Sequence, residues 1–127
     1  MALRYLVAVI LALHGLIHTL GFAATWGLGQ INAISSTPTF PGGLATGGAV
    51  PRLLGVVWLL LAVAFIVAAV GLATTSAWWK ALLLAATMVS LLLCVAWWSD
   101  AKFGLVIDAI ILVVLAATTW IVRPTTP

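Results

Sequence analysis

The chain has 127 residues, 65% of them hydrophobic and 6% charged, with a mean hydropathy of +1.34. A soluble domain carries about 25% charged residues, so these side chains cannot coat a water-facing surface, and a soluble globular fold is excluded. The net charge of +3 comes from five basic residues that stand singly at the ends of apolar blocks; they form no patch, and a nucleic-acid partner is not expected.

The first apolar block covers about 3–26, with Arg4 in its opening turn. A charged start and the small residues after Phe22 also fit a secretory signal, but the stretch is longer than a signal core and two histidines interrupt it, so a span is expected. Residues 27–50 carry no charge and contain the turn formers Thr37-Pro38 and Pro41-Gly42-Gly43, which predict an external loop without regular structure. The second block, 51–73, opens on Pro51, whose missing N–H costs nothing at a helix start. Gly55, Ala62 and Ala69 recur every seven residues and give it a stripe suited to close helix contact.

The third block covers 78–98, with Ala81 and Ala85 as a small pair one turn apart. Ser99-Asp100-Ala101-Lys102 forms a tight polar turn, in which Asp100 is placed to cap the following helix and Lys102 to reach water. The fourth block covers 103–122 and stops at Arg123-Pro124. The expected architecture is therefore all-α: a transmembrane four-helix bundle, one domain over 1–127. Arg4, Lys80 and Arg123 on one side against Arg52 and Lys102 on the other predict a multi-pass cell-membrane protein with both termini in the cytoplasm. Trp26, Trp97 and Trp98 would mark the outer interface and Trp78, Trp79 and Trp120 the inner one, leaving Trp58 inside a span.

Ionisable residues inside a bilayer are costly, so His14, His18 and Asp108 are the candidate binding residues. His14, His18, Gly21 and Thr25 share one face of the first helix, and that face must point inward. At ~1.5 Å per residue, His18 lies roughly 12 Å below Trp26 and Asp108 roughly 9 Å below Lys102, which predicts a His18–Asp108 contact with His14 one turn deeper. Thr87, Ser90, Cys94 and Trp98 form a second polar stripe, and Arg52, Ser99, Asp100 and Lys102 complete a polar cluster at the outer side. His14 and His18 are spaced to share a metal, with Asp108 or Cys94 as a further ligand, but the catalytic Glu of the His-Glu-x-x-His pattern is missing, which excludes a zinc protease of that type. A proton relay or quinone pocket and plain helix-packing hydrogen bonds are the other readings of the cluster. The residues themselves name no cofactor and no catalytic group.

Leu13-His14-Gly15-Leu16-Ile17-His18 with Leu20-Gly21-Phe22, and Trp98-Ser99-Asp100-Ala101-Lys102-Phe103-Gly104, together resemble a group of small four-helix bacterial membrane proteins that often carry an ABC transporter permease label. The resemblance extends in outline over the chain through Pro51-Arg52 and Trp58, and implies His14, His18, Ser99, Asp100, Lys102 and Gly104 as positions of interest. That pattern has Asn where this chain has Asp108, which implies that a neutral amide serves there elsewhere in the group. The His14-Gly15 pair with Gly21-Phe22 is also similar to DoxX-type membrane proteins, which implies a redox or quinone-associated subunit. A transporter half needs more helices and a cytoplasmic coupling segment. The reading favoured by the residues is a binding, accessory or structural membrane protein in the lipid bilayer, self-associated or attached to a larger membrane complex.

Overall fold

The computed structural model describes residues 1–43 and 46–121, the last three as backbone. Four helices follow one another: α1 (Ala2–Trp26), α2 (Val50–Ala73), α3 (Trp79–Ala96) and α4 (Lys102–Ile121). No strand occurs among the described residues. The Arg123-Pro124 stop and the Trp120 side chain lie outside them.

The helix ends follow from local chemistry. α1 closes on Gly27 in the left-handed conformation (φ 66°), with the Leu28 N–H bonded to the Ala23 carbonyl at 2.9 Å, which satisfies a carbonyl the helix itself leaves free. α2 opens with Pro51 in its first turn. Helices α1, α2 and α3 are long and apolar enough to cross a membrane.

The distribution of polarity also fits lipid surroundings. On α1 the exposed face bears Leu6, Ile10, Leu13 and Ile17, each at least half exposed, while the buried face bears His14, His18 and Thr25. In water this arrangement would expose the apolar side chains and pay to desolvate the polar ones; in hydrocarbon it is the stable one.

α1 packs on α2, α2 on α3 and α3 on α4, but α1 and α4 make no close backbone contact. The α1/α2 pair is the tightest, because glycines let the backbones approach. A Cβ at Gly15 would sit 2.9 Å from Phe65 Cβ, one at Gly21 would overlap the Trp58 indole, and one at Gly55 would overlap Thr25 Oγ1. Gly55, Ala62 and Ala69 are all buried, so the seven-residue stripe forms this contact.

At the loop end, the chain differs from the expected belt. Trp26, Trp78 and Trp98 are 42–49% exposed, but Trp97 is fully buried, edge-on to Trp58 at 5.7 Å. Residues 31–40 lie over it. The Trp97 indole N–H donates to the Ser35 carbonyl at 2.9 Å and the Thr39 N–H to the Ala96 carbonyl at 2.8 Å, while Ile34 and Phe40 pack on the core. Trp97 at the end of α3 meets Trp58, which packs at Gly21, more than one turn before the end of α1, so the α3–α4 turn falls short of that end and the loop fills the step. That step explains why Trp97 is roofed rather than interfacial.

Substituting Gly21 by Val should therefore force the Trp58 ring aside and destabilise the bundle by about 1–3 kcal/mol. Gly47→Ala, with nothing within 4 Å of the added Cβ, should leave it unchanged. Thermal unfolding of both variants in one detergent checks the pair.

Candidate functional site

All four helices contribute to one buried polar cluster. From α1, the His14 Nε2–H donates to Asp108 Oδ1 of α4 at 2.9 Å, with His14 5% and Asp108 0% exposed. One turn on, His18 Nδ1 lies 2.9 Å from the His14 carbonyl, which can only accept, so Nδ1 carries the proton. In the neutral ring Nε2 is then an acceptor, and it meets the Ser90 hydroxyl of α3 at 2.8 Å. Cys94, one turn beyond Ser90, lies 3.8 Å from Asp108 Oδ2. α2 supplies the packing: the Phe65 ring lies 4.8 Å from His14 and 5.0 Å from His18, and Trp58 lies 5.2 Å from His18. Thr25 and Thr87 bond to carbonyls one turn back in their own helices and need no partner from the cluster.

The expected pairing is corrected by one helical turn: His14, not His18, holds Asp108. Helical rise alone sets Trp26 and Lys102 at the same height. Because the α3–α4 turn is sunk beneath the 31–40 loop, α4 starts lower and its carboxylate meets the deeper histidine.

The outer part of the expected cluster disperses. Asp100 does not spend its carboxylate Oδ2 on the start of α4; that oxygen accepts the Ser35 N–H at 2.8 Å and the Ser35 hydroxyl, pinning the loop. Ser99 is exposed and its N–H reaches Thr39 Oγ1 at 3.2 Å. Lys102 is exposed, 6.0 Å from the Trp98 ring. The Arg52 side chain is exposed, and only its carbonyl takes part, accepting the Trp26 indole N–H at 3.1 Å. Trp98 turns outward from the stripe of Thr87, Ser90 and Cys94. Ser35 gave no signal in the sequence, since a loop serine has neither periodicity nor a neighbouring motif. Trp58 was visible as the tryptophan inside a span, but the donor it brings was not.

Between α1 and α4 the bundle stays open on both sides of the His14–Asp108 bond. On the loop side is a cavity of about 180 Å³, lined by His14, Ile17, His18, Trp58, Cys94 and Gly104 among others and roofed by Ala33 and Ile34. On the other side lies a second hollow of about 230 Å³, bounded by Val7, Ile10, Leu83, Ile110 and Val114. Two buried polar atoms on residues lining the first cavity, His14 Nδ1 and Trp58 Nε1, have no hydrogen-bond partner. Among the described residues, no three His, Cys, Asp or Glu side chains are grouped to hold a metal ion. No known protein family, curated protein or solved structure matches the chain.

Two outcomes follow. Asp108→Ala leaves a buried imidazole without its acceptor and should cost about 2–4 kcal/mol. Asp108→Asn keeps an accepting oxygen at the same place and should cost about 1 kcal/mol; chemical or thermal unfolding distinguishes the two. Asp100→Ala should release the loop without unfolding the bundle, raising hydrogen exchange at the Thr39 amide and the Trp97 indole at least about tenfold while the exchange of core amides stays unchanged.

Proposed function

We propose that the chain is a small multi-pass membrane protein, with α4 as its fourth span and both termini in the cytoplasm, that acts as a binding or accessory protein rather than as an enzyme. The observation that carries this reading is the incomplete closure of the bundle. Among the described residues, a buried hydrogen bond links α1 and α4, and beside it lies a lipid-facing seam with a cavity by the histidines. The seam leaves the cavity beside the histidines reachable from the lipid, as a binding role requires. The buried hydrogen bonds themselves act as a brace: His18 is satisfied at both nitrogens and Asp108 at both oxygens.

A transport role has less support, because the His14–Asp108 bond stands between the two hollows of the seam. The broad exposed apolar surface favours lipid, a second copy or a larger membrane complex as surroundings.

Alkaline carbonate washing of membranes, followed by reporter fusions at each terminus and in the 27–49 loop, tests this reading. Retention in the membrane with both termini on the cytoplasmic side and the loop opposite is expected. Release of the protein by carbonate would overturn it.

A further inference from the structure

The chain has two acidic side chains against five basic ones, and both carboxylates are already engaged far from the start of α3. Asp100 holds Ser35 beyond the opposite end of that helix. Asp108 bonds to His14 and lies beside Cys94, roughly 20 Å along the α3 axis from Lys80 at a helical rise of about 1.5 Å per residue. Neither can neutralise Lys80. The other cations among the described residues are placed differently: the Arg4 guanidinium reaches the Tyr5 hydroxyl at 3.2 Å, while Arg52 and Lys102 are exposed. Lys80 is half-buried, and among the described residues its ammonium makes no ion pair and no hydrogen bond, only a 5.7 Å approach to the Trp79 ring. A cation held against hydrocarbon without a counter-charge is costly, and the anions within reach of a membrane face are lipid headgroups.

The surface beside Lys80 matches the rest of such a molecule. A groove of about 320 Å³ separates α3 from α4, lined by Lys80, Ala81 and Leu84 on one side and Leu112, Leu115 and Ala116 on the other. Apart from the lysine, every lining side chain is aliphatic. Leu84 lies one turn further into the span than Lys80, and Ala116 lies more than one turn before the end of α4 at Ile121, so the groove is set back from that helix end. Leu115 is buried and forms its floor, while Leu84 is 49% exposed towards lipid. One positive charge above an apolar trough is complementary to one negative headgroup above an acyl chain.

Building on the membrane reading above, we propose that the α3/α4 groove binds a phospholipid of net negative charge, its phosphate on the Lys80 ammonium and an acyl chain along Leu84 and Leu112. The trough takes any acyl chain. The lysine supplies the preference among headgroups, because a zwitterionic lipid carries its own cation beside the phosphate and gains less from a second one.

The test is native mass spectrometry of the full-length protein in detergent, titrated with phosphatidylglycerol and with phosphatidylcholine of the same acyl chains and read at the first bound lipid. Phosphatidylglycerol is expected to bind about fivefold tighter, that being the worth of one interfacial lysine. Lys80→Gln should lower its affinity to that of phosphatidylcholine, which itself stays unchanged. Lys102→Gln, an exposed cation at the other end of the bundle, should keep the preference, and Ala81→Phe, which puts a ring into the groove, should weaken both lipids alike. Equal binding of the two lipids, a preference that survives Lys80→Gln, or a lipid-free dimer that Ala81→Phe disrupts, showing a second copy in the groove, would overturn the proposal. Any of these results in protein that carbonate leaves in the membrane would let the membrane reading stand, whereas loss of membrane retention would remove both.

Discussion

A bundle of four helices connected in sequence has one neighbouring pair that are not consecutive in the chain, and here that pair is α1 and α4. Nothing in chain connectivity forces them together, and their backbones stay apart. Among the described residues, the hydrogen bond that links them runs from His14 Nε2 to Asp108 Oδ1 and is buried at both ends. In hydrocarbon there is no water to take over either partner, so separating α1 from α4 would strand an imidazole and a carboxyl group in the least hospitable solvent available to them. The hydrophobic effect, which closes such a gap in a soluble bundle, contributes little between helices surrounded by lipid. One polar contact at mid-height therefore bridges the seam, with a hollow on either side of it.

The other contacts around this bond set its height and orientation. His18 uses the His14 carbonyl and Ser90 to tie α1 to α3, and the glycines at 15 and 21 seat α1 on Phe65 and Trp58 of α2. α1 is thereby fixed in rotation, and His14 can face only α4. On the opposite side, the short α3 and the loop clasp through Ser35, Asp100 and Trp97 lower the start of α4 until Asp108 reaches that histidine. The loop is thus part of the site, although it contributes no group to the buried cluster.

Much of this was legible in the sequence, for reasons that are physical. Long apolar blocks broken by Pro and Gly define helices, and the 3.6-residue spacing of His14, His18, Gly21 and Thr25 identifies their shared inward face. The set of buried ionisable residues could be read as well, because each is too costly in lipid to be placed at random. What could not be read was relative height. Helix rise fixes depth within one helix, but the offset between helices depends on where a loop folds, and the segment 31–40 carries no periodic signal of its clasp on Trp97 and Asp100. The same gap misplaced Trp97 at the interface and Arg52, Ser99 and Lys102 in a cluster that they do not join. The two unmatched nitrogen atoms lay beyond sequence reasoning altogether, since whether a donor finds an acceptor is decided by packing at the scale of an ångström.

The central claim is that the seam is held by His14 and Asp108 specifically, rather than by a diffuse attraction among the buried polar groups. A double-mutant cycle on unfolding free energy, pairing His14→Phe with Asp108→Leu and, separately, His18→Phe with Asp108→Leu, isolates the two couplings. A coupling of at least about 1 kcal/mol for the first pair and within about 0.5 kcal/mol of zero for the second is the predicted result. A first pair that adds without coupling, or a larger coupling through His18, would contradict the account.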